Sequence, residues 1–116
     1  MTFRSYGHKP WGHYLNIFDA PYTKVKEILI KPGEAPSYQY HHKRSEIWVI
    51  VKGTAEVKLD GVVKTYGQGD VIHIPVKSKH QAKNVGDDDL VFIEVQLGEY
   101  FGEDDIVRLE DKYGRV

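Results

Sequence analysis

Gln39 and His41 stand two positions apart, Glu46 follows after a short polar stretch, and His80 lies far along the chain. On a β-strand, residues two apart point to the same face. A turn over His42 to Ser45 lets Glu46 open the next strand. One hairpin can then place an amide oxygen, an imidazole and a carboxylate on a common wall. With His80 added, the donors are nitrogen and oxygen, a set that suits zinc, manganese, iron, cobalt or nickel better than a soft metal would be suited. The cluster alone admits a second reading. A strand histidine is ordinarily a surface or hydrogen-bonded residue, and His41-His42 can be plain loop residues among the six histidines of the chain.

The elements that must position these residues read as β. Val25 to Ile30 and Glu46 to Val51 are β-rich runs. Ala55 to Leu59 alternates and meets Asp60-Gly61, a strong hairpin signal, with Val62 to Tyr66 as the return strand. Val71 to Ile74 and Leu90 to Leu97 complete the set. Short strands at roughly ten-residue spacing, punctuated by Gly, Pro, Asn and Asp, indicate an antiparallel sandwich or barrel. Only the tail, Glu103 to Asp111, has the makings of a short helix. The 116 residues amount to one domain, with 41% hydrophobic and 28% charged side chains. A formal net charge of −1 gives no positive field for nucleic acid or an anionic membrane. The absence of cysteine excludes disulfides, thiolate metal sites and cysteine nucleophiles, and fits a cytoplasmic location. Met1 to Ala20 lacks the apolar core of a signal peptide, and the longest apolar run, Ile47 to Val51, is too short to span a bilayer.

The flanking glycines and prolines carry a resemblance. Gly33-EAPSY-Gln39-Tyr40-His41-HKRS-Glu46-IWVIVK-Gly53 resembles the first motif of the cupins, with glutamine where the first histidine is usual. Gly69-DVIHI-Pro75-VKSK-His80-QAK-Asn84 resembles the second, with Lys77 in place of a glycine. Lys9-Pro-Trp-Gly-His-Tyr14, Lys31-Pro-Gly33, Arg44-Ser-Glu46-x-Trp48, Glu94-Val-Gln96 and Gly102-EDDIVRLEDKYGR narrow it. Together they look like the cupin domain of type II phosphomannose isomerases, a domain often fused behind a mannose-1-phosphate guanylyltransferase. The likeness runs from Lys9 to Arg115. Ala35-Pro36, Tyr38, Tyr40, Lys43 and Lys77 depart from it.

The resemblance implies an all-β cupin, a double-stranded β-helix or jelly-roll barrel ending in a short helical or irregular tail. It would be a single domain over 1–116 with its barrel core over about 22–98, in stand-alone form. One divalent cation is expected on Gln39, His41, Glu46 and His80, with zinc foremost and manganese, cobalt, iron or nickel as alternatives. The implied activity is a metal-dependent interconversion of mannose 6-phosphate and fructose 6-phosphate. Such a reaction needs a base within about 3 Å of the moving proton. Glu94 shares a strand face with Phe92 and Gln96, and a carboxylate in so apolar a strand must face either a pocket or solvent. His42 and Lys43 follow the ligand strand and can serve instead. Phosphate calls for planar cationic forks. Arg44 beside the ligand loop and Arg108 in the tail are candidates, each with a surface ion pair as its alternative. Ile106, Val107 and Leu109 are expected to pack on the barrel and aim Arg108 at the pocket mouth, with tail acids holding its guanidinium. The expected site is therefore Glu94, Arg108 and His42 for catalysis, and Arg44, Lys43 and Tyr38 for substrate. Lys9 is expected at the mouth, and Trp11 in the core or a dimer contact. The partners expected are a sugar phosphate and a second copy of the chain, with neither nucleic acid nor membrane. A non-catalytic sugar- or effector-binding cupin and a metal-dependent oxygenase are the alternatives.

Overall fold

A computed structural model describes residues 5–111. Among the described residues, eleven strands form two antiparallel sheets. Strands β1 (Ser5–Lys9), β2 (Gly12–Ala20), β3 (Thr23–Ile30), β5 (Arg44–Lys52), β8 (Val71–Ile74) and β10 (Leu90–Gly98) make the larger one, in the order β1-β2-β3-β10-β5-β8. Strands β4 (Tyr38–His41), β6 (Ala55–Leu59), β7 (Val62–Tyr66), β9 (His80–Asn84) and β11 (Ile106–Glu110) make the smaller, in the order β11-β4-β9-β6-β7. The chain crosses repeatedly between the sheets, the double-stranded β-helix that the resemblance implies. Period-two alternation sets which side chains face inward. On β10 the buried residues are Leu90, Phe92, Glu94 and Gln96, while Val91, Ile93 and Val95 face outward and are half-buried. The core is a cluster that includes Ile30, Trp48, Ile50, Val57, Leu90 and Phe92. Among the described residues, no helix is long and apolar enough to cross a membrane.

The expected hairpin is present. Asp60 and Gly61 both take positive φ, 47° and 84°, and Leu59 pairs with Val62. That is the primed turn geometry matching the twist of the flanking strands. The strand Gly12–Ala20 gave no clear signal in the sequence, because it lies near a sheet edge and its faces are mixed.

The expectation for the tail needs correction. Glu103–Asp105 forms a single 3-10 turn, and Ile106–Glu110 is a strand and not part of a helix. It pairs with β4, placing Ile106 opposite His41, Val107 opposite Tyr40 and Arg108 opposite Gln39. The β-branched Ile-Val pair favours extended backbone, and β4 would otherwise present unpaired edge groups on this side. Arg108 is therefore not at helical spacing from Asp104 or Asp105. Lys112 to Val116, including Arg115, lie outside the described residues.

Lys77, the departure from the second motif, keeps the backbone that a glycine would take, with φ at 67°. Its N–H donates to the carbonyl of His41 at 2.8 Å, tying this turn to a candidate ligand strand. A left-handed conformation costs a residue with a Cβ about 1–2 kcal/mol. Glycine loses about 0.5–1 kcal/mol more backbone entropy on folding. Lys77→Gly is therefore expected to stabilise the fold by about 0.5–1 kcal/mol, read as a higher denaturant midpoint at unchanged m-value. A lower midpoint would mean that the lysine side chain contributes more than its backbone strain costs.

Candidate metal centre and active-site cavity

Inward-facing positions on β4, β5 and β9 converge. His41, Glu46 and His80 are each 2% exposed, and one potential ligand atom from each lies within 4.8 Å of the others. The two imidazoles stack with centroids 5.3 Å apart. The Nδ1 of His80 lies 2.9 Å from the carbonyl of Ser78. A carbonyl only accepts, so this nitrogen carries the proton and Nε2 keeps its lone pair. That Nε2 is buried with no hydrogen-bond partner among the described residues. The Nε2 of His41 receives Arg44 Nη2 at 2.9 Å. Arginine only donates, which fixes the same tautomer, with Nδ1–H turned to Glu46 Oε2 at 3.6 Å. Both rings thus anchor Nδ1, the usual arrangement for metal-binding histidines; His80 offers its Nε2, while that of His41 accepts from Arg44 and must exchange this bond to bind an ion. An orphaned buried lone pair beside a second imidazole and a carboxylate fits a divalent cation.

Glu46 supplies the negative charge. Its Oε1 accepts from Trp48 Nε1 at 2.9 Å and its Oε2 from Arg44 Nε at 3.0 Å. Burial alone would raise its pKa, but electrostatic attraction to the surrounding His80, Arg44 and His41 side chains outweighs burial and holds it at about 2. Gln39 pairs in register with His80 on one side and Arg108 on the other, and its Oε1 accepts from Ser37 Oγ at 3.2 Å.

A cavity of about 130 Å3 adjoins these residues. Gln39, Arg44 and His80 line it on the metal side; Glu94, Lys26, Tyr14, Trp11 and Lys9 line it on the larger sheet; and Arg108 lines it from the tail strand. Across that sheet, Trp48, Glu94, Lys26 and Asn16 form one cross-strand row. Burial, and then the charge of Glu46, push the Glu94 carboxyl up to about 8, against the opposing pull of Lys26 and Arg44. The Nε2 of Gln96 donates to Glu94 Oε2 at 2.7 Å. Two carboxyl groups on one inner face are thus driven apart, Glu46 ionised and Glu94 protonated near neutrality in the absence of a cation. Such separation marks acid and base assignments.

The expected residues divide. Glu94 faces the cavity and not solvent, and Arg108 lines it, with an Nε that has no hydrogen-bond partner among the described residues. Arg44 is neither a surface ion pair nor an open fork, since it is buried and bonds both His41 and Glu46. His42 and Lys43 are exposed and do not line the cavity. The His42 ring packs on Tyr40, and Lys43 Nζ sits 5.2 Å over the Tyr100 ring. Tyr38 faces away, buried under Lys58, whose Nζ lies 4.4 Å from its ring. Trp11 is 6% exposed and belongs to the core. Ile106 lines the cavity, whereas Leu109 is exposed and does not pack on the barrel as expected. Nor does Asp105 hold Arg108. It accepts from the backbone N–H groups of His42 and Lys43 at 3.2 and 2.9 Å, which clamps the ligand loop. Sequence reading gave Lys26 no role in the site and took Asp105 only as a partner for Arg108. It noted Gln96 only as a face-mate of Glu94, a signal that could have marked it as a positioning residue.

The family described as Mannose-6-phosphate isomerase C-terminal matches residues 1–111. Mannose-1-phosphate guanylyltransferase ManC of Salmonella typhimurium is 48% identical over 94% of this chain, which spans 23% of that relative's length. Among solved structures, the capsular polysaccharide assembling protein CapF of Staphylococcus aureus superposes with a TM-score of 0.78 at 24% identity, over 92% of this chain and 34% of its own. An RmlC-like cupin of Shewanella frigidimarina gives 0.73 at 20% identity, over 87% of each chain. These likenesses establish the cupin fold.

Zinc or manganese added to metal-free protein should raise its unfolding midpoint. At free ion 100 times the dissociation constant, the gain is about 2.7 kcal/mol. His80→Ala should abolish this shift. His13→Ala is the control, because the surface pair His8 and His13, with rings 6.5 Å apart, is the competing binder. A shift lost with His13 and kept without His80 would place the ion on the surface.

Proposed function

We propose that this chain, which belongs to the mannose-6-phosphate isomerase C-terminal family, is a metal-dependent aldose–ketose isomerase domain acting on a sugar phosphate, with mannose 6-phosphate and fructose 6-phosphate as the reacting pair. The observation that carries this is the placement of a second buried carboxyl, Glu94, on the cavity wall beside the metal donors. A site that only held a sugar would have little use for a buried carboxyl driven away from its ordinary pKa.

Interconversion at C1 and C2 moves one proton between adjacent carbons and passes through an enediolate. His41, Glu46 and His80, with Gln39 as a fourth donor, would hold a divalent cation, which would supply Lewis-acid polarisation of the sugar oxygen; no redox change is required, so zinc would suffice. The proposed roles of the remaining residues follow from position. Glu94, in the ionised form that a nearby cation would favour, takes the proton from one carbon and returns it to the other. Gln96 holds the Glu94 carboxyl through its 2.7 Å bond and so positions it. Arg108, next to Gln39 across β11 and β4, offers N–H groups to developing oxyanion charge. Trp48 and Arg44 keep Glu46 oriented. Trp11, Ile28 and Phe92 exclude water from the floor.

The chain spans about a quarter of the length of the guanylyltransferases it matches, so their nucleotidyl transfer is not ascribed to it. A coupled assay with mannose 6-phosphate, run without metal and with zinc, manganese or cobalt, tests the reading. Glu94→Gln should lower kcat by about 10²–10⁴ and leave the metal-induced midpoint shift in place. Metal-dependent ligand binding without turnover would identify a binding module instead.

We also propose a homodimer through the outer face of the larger sheet. Val49 and Val71 are register partners there, exposed by 36% and 61%, with Val51 at 44% and Ile47, Val91 and Ile93 beside them. An apolar patch of this kind is matched best by a copy of itself. Val49→Lys should halve the mass measured by light scattering while the metal shift persists. A monomeric wild-type protein at micromolar concentration would sink this proposal.

A further inference from the structure

Interconversion of an aldose and a ketose moves two protons, and Glu94 handles only one of them. In the aldose, C1 carries the carbonyl oxygen O1, and C2 carries a hydrogen and the hydroxyl O2–H. In the ketose, C1 has gained a hydrogen, O1 is a hydroxyl, and O2 is the carbonyl oxygen. The carbon-bound hydrogen passes from C2 to C1 by way of Glu94. A second proton must pass from O2 to O1. Its carrier has to give up a proton and take one back beside the same two carbons.

The cavity holds few groups able to do both. Arg44 and Arg108 keep their protons throughout, because a guanidinium is not deprotonated in a protein. His80 donates its Nδ1–H to the Ser78 carbonyl and keeps Nε2 for the ion. The Ser37 hydroxyl is given to Gln39. Lys9 is exposed on the edge strand β1. The Tyr14 ring lies over Gly7 of that strand, and Tyr14 pairs with Ile28, one inward row away from Glu94.

Lys26 stands where the carrier is needed. It is the register partner of Glu94 across β3 and β10, and both side chains point inward, 5% and 7% exposed. Directly opposed residues on one sheet face have Cβ atoms about 4.5–5.5 Å apart. Both residues line the cavity. The Lys26 charge draws the Glu94 pKa down against burial, so the two groups interact in place. The Tyr14 ring face, its centroid 4.7 Å from Lys26 Nζ, orients the ammonium. Three N–H donors on one nitrogen let it face a carboxylate and a sugar oxygen together. Lysine, unlike arginine, can also release a proton and recover it.

We propose that Lys26 is the carrier of the second proton, moving it between the two sugar oxygens while Glu94 moves the other between the two carbons. As Glu94 takes the hydrogen from C2, the C–H electron pair forms the C1–C2 double bond and the carbonyl pair moves onto O1. The Lys26 ammonium protonates O1. The resulting amine then takes the O2 proton, the carbonyl forms at C2, and C1 takes its hydrogen from Glu94. Lys26 ends as an ammonium and Glu94 as a carboxylate, so protons and charge balance over the cycle. The assignment rests on the isomerase reading of the site.

The test is turnover of mannose 6-phosphate in D2O by zinc-loaded protein, with NMR reading both fructose 6-phosphate and deuterium at C2 of the recovered aldose. Lys26→Met should lower kcat by about 10²–10⁴, with KM within a few-fold. The ratio of C2 deuteration to ketose formed should rise at least tenfold, because the enediolate still forms and falls back to the aldose. Lys26→Arg should be as slow as Lys26→Met, since it keeps the charge but cannot release a proton. Calorimetry with mannitol 1-phosphate, which cannot isomerise, should give affinities within a few-fold of wild type. An unchanged metal-induced midpoint shift reports that the fold and the metal donors are intact. Rescue by Lys26→Arg overturns the proposal, because charge alone would then suffice. Exchange and turnover lost in equal measure overturn it too, because Lys26 would then serve Glu94 in breaking the C–H bond. Lost mannitol 1-phosphate affinity with raised KM and unchanged kcat would make Lys26 a binding residue and overturn it as well. In these three cases the isomerase reading stands. A wild-type protein that neither turns over nor exchanges removes that reading, and the proton carrier with it.

Discussion

Glu46 is a carboxylate at the bottom of an apolar barrel, and placing an ionised group there costs several kcal/mol before any partner is counted. Much of the architecture offsets that cost. Trp48 and Arg44, from the same strand, each give one of its oxygens a hydrogen bond. His41 and His80 arrive from two other strands and face it. Breaking any one contact leaves a buried charge less compensated, so the strands supplying them are held to one mutual arrangement. The same charge raises the pKa of Glu94 on the adjacent strand. One buried anion therefore attracts a cation on one side and helps retain a proton on the other.

The hairpin carrying these groups is secured from three directions. The Lys77 turn of the second motif bonds the carbonyl of His41 at 2.8 Å. Asp105 closes the loop from the tail by taking both N–H groups of His42 and Lys43. Just after β10, Glu99 donates its N–H to the carbonyl of Lys43 at 3.2 Å. His42 and Lys43 thus matter through their backbones, while their side chains point to solvent. Residues with suggestive chemistry beside a ligand strand were read as site residues because side-chain direction beyond the strand end is not legible from spacing.

What was legible follows the reach of each signal. Period-two alternation and the Asp60-Gly61 turn are local, so the strands and that hairpin could be read directly, and Glu94 could be set on a face with Phe92 and Gln96. The candidate ligand set needed two distant motifs, and the resemblance to the cupins joined them. Lys26 was invisible because an inward lysine on an alternating strand looks like an outward one until β2 and the Tyr14 ring are in place. Arg44 was misjudged for a similar reason, since its burial arises from the meeting of His41 and Glu46. The tail was read as a short helix, with Arg108 spaced to reach Asp104 or Asp105, while its real constraint is the open edge of β4, a long-range feature.

Alternation along β10 links assembly to chemistry. Its inward residues, Phe92, Glu94 and Gln96, furnish the cavity floor, the carboxyl and the group that positions it. Its outward residues, Val91, Ile93 and Val95, sit at the centre of the apolar face proposed for a second copy. A one-residue slip of this strand would exchange the two sets, placing Glu94 in the interface and Ile93 in the cavity. The register to β3 and β5 that sets Glu94 between Lys26 and Trp48 is therefore the register that keeps the Glu94 carboxyl out of the outer face. Covering that face would strengthen the same pairing, because strands buried on both sides have fewer ways to shift. On this argument a dimer would hold the site in shape without contributing a residue to it.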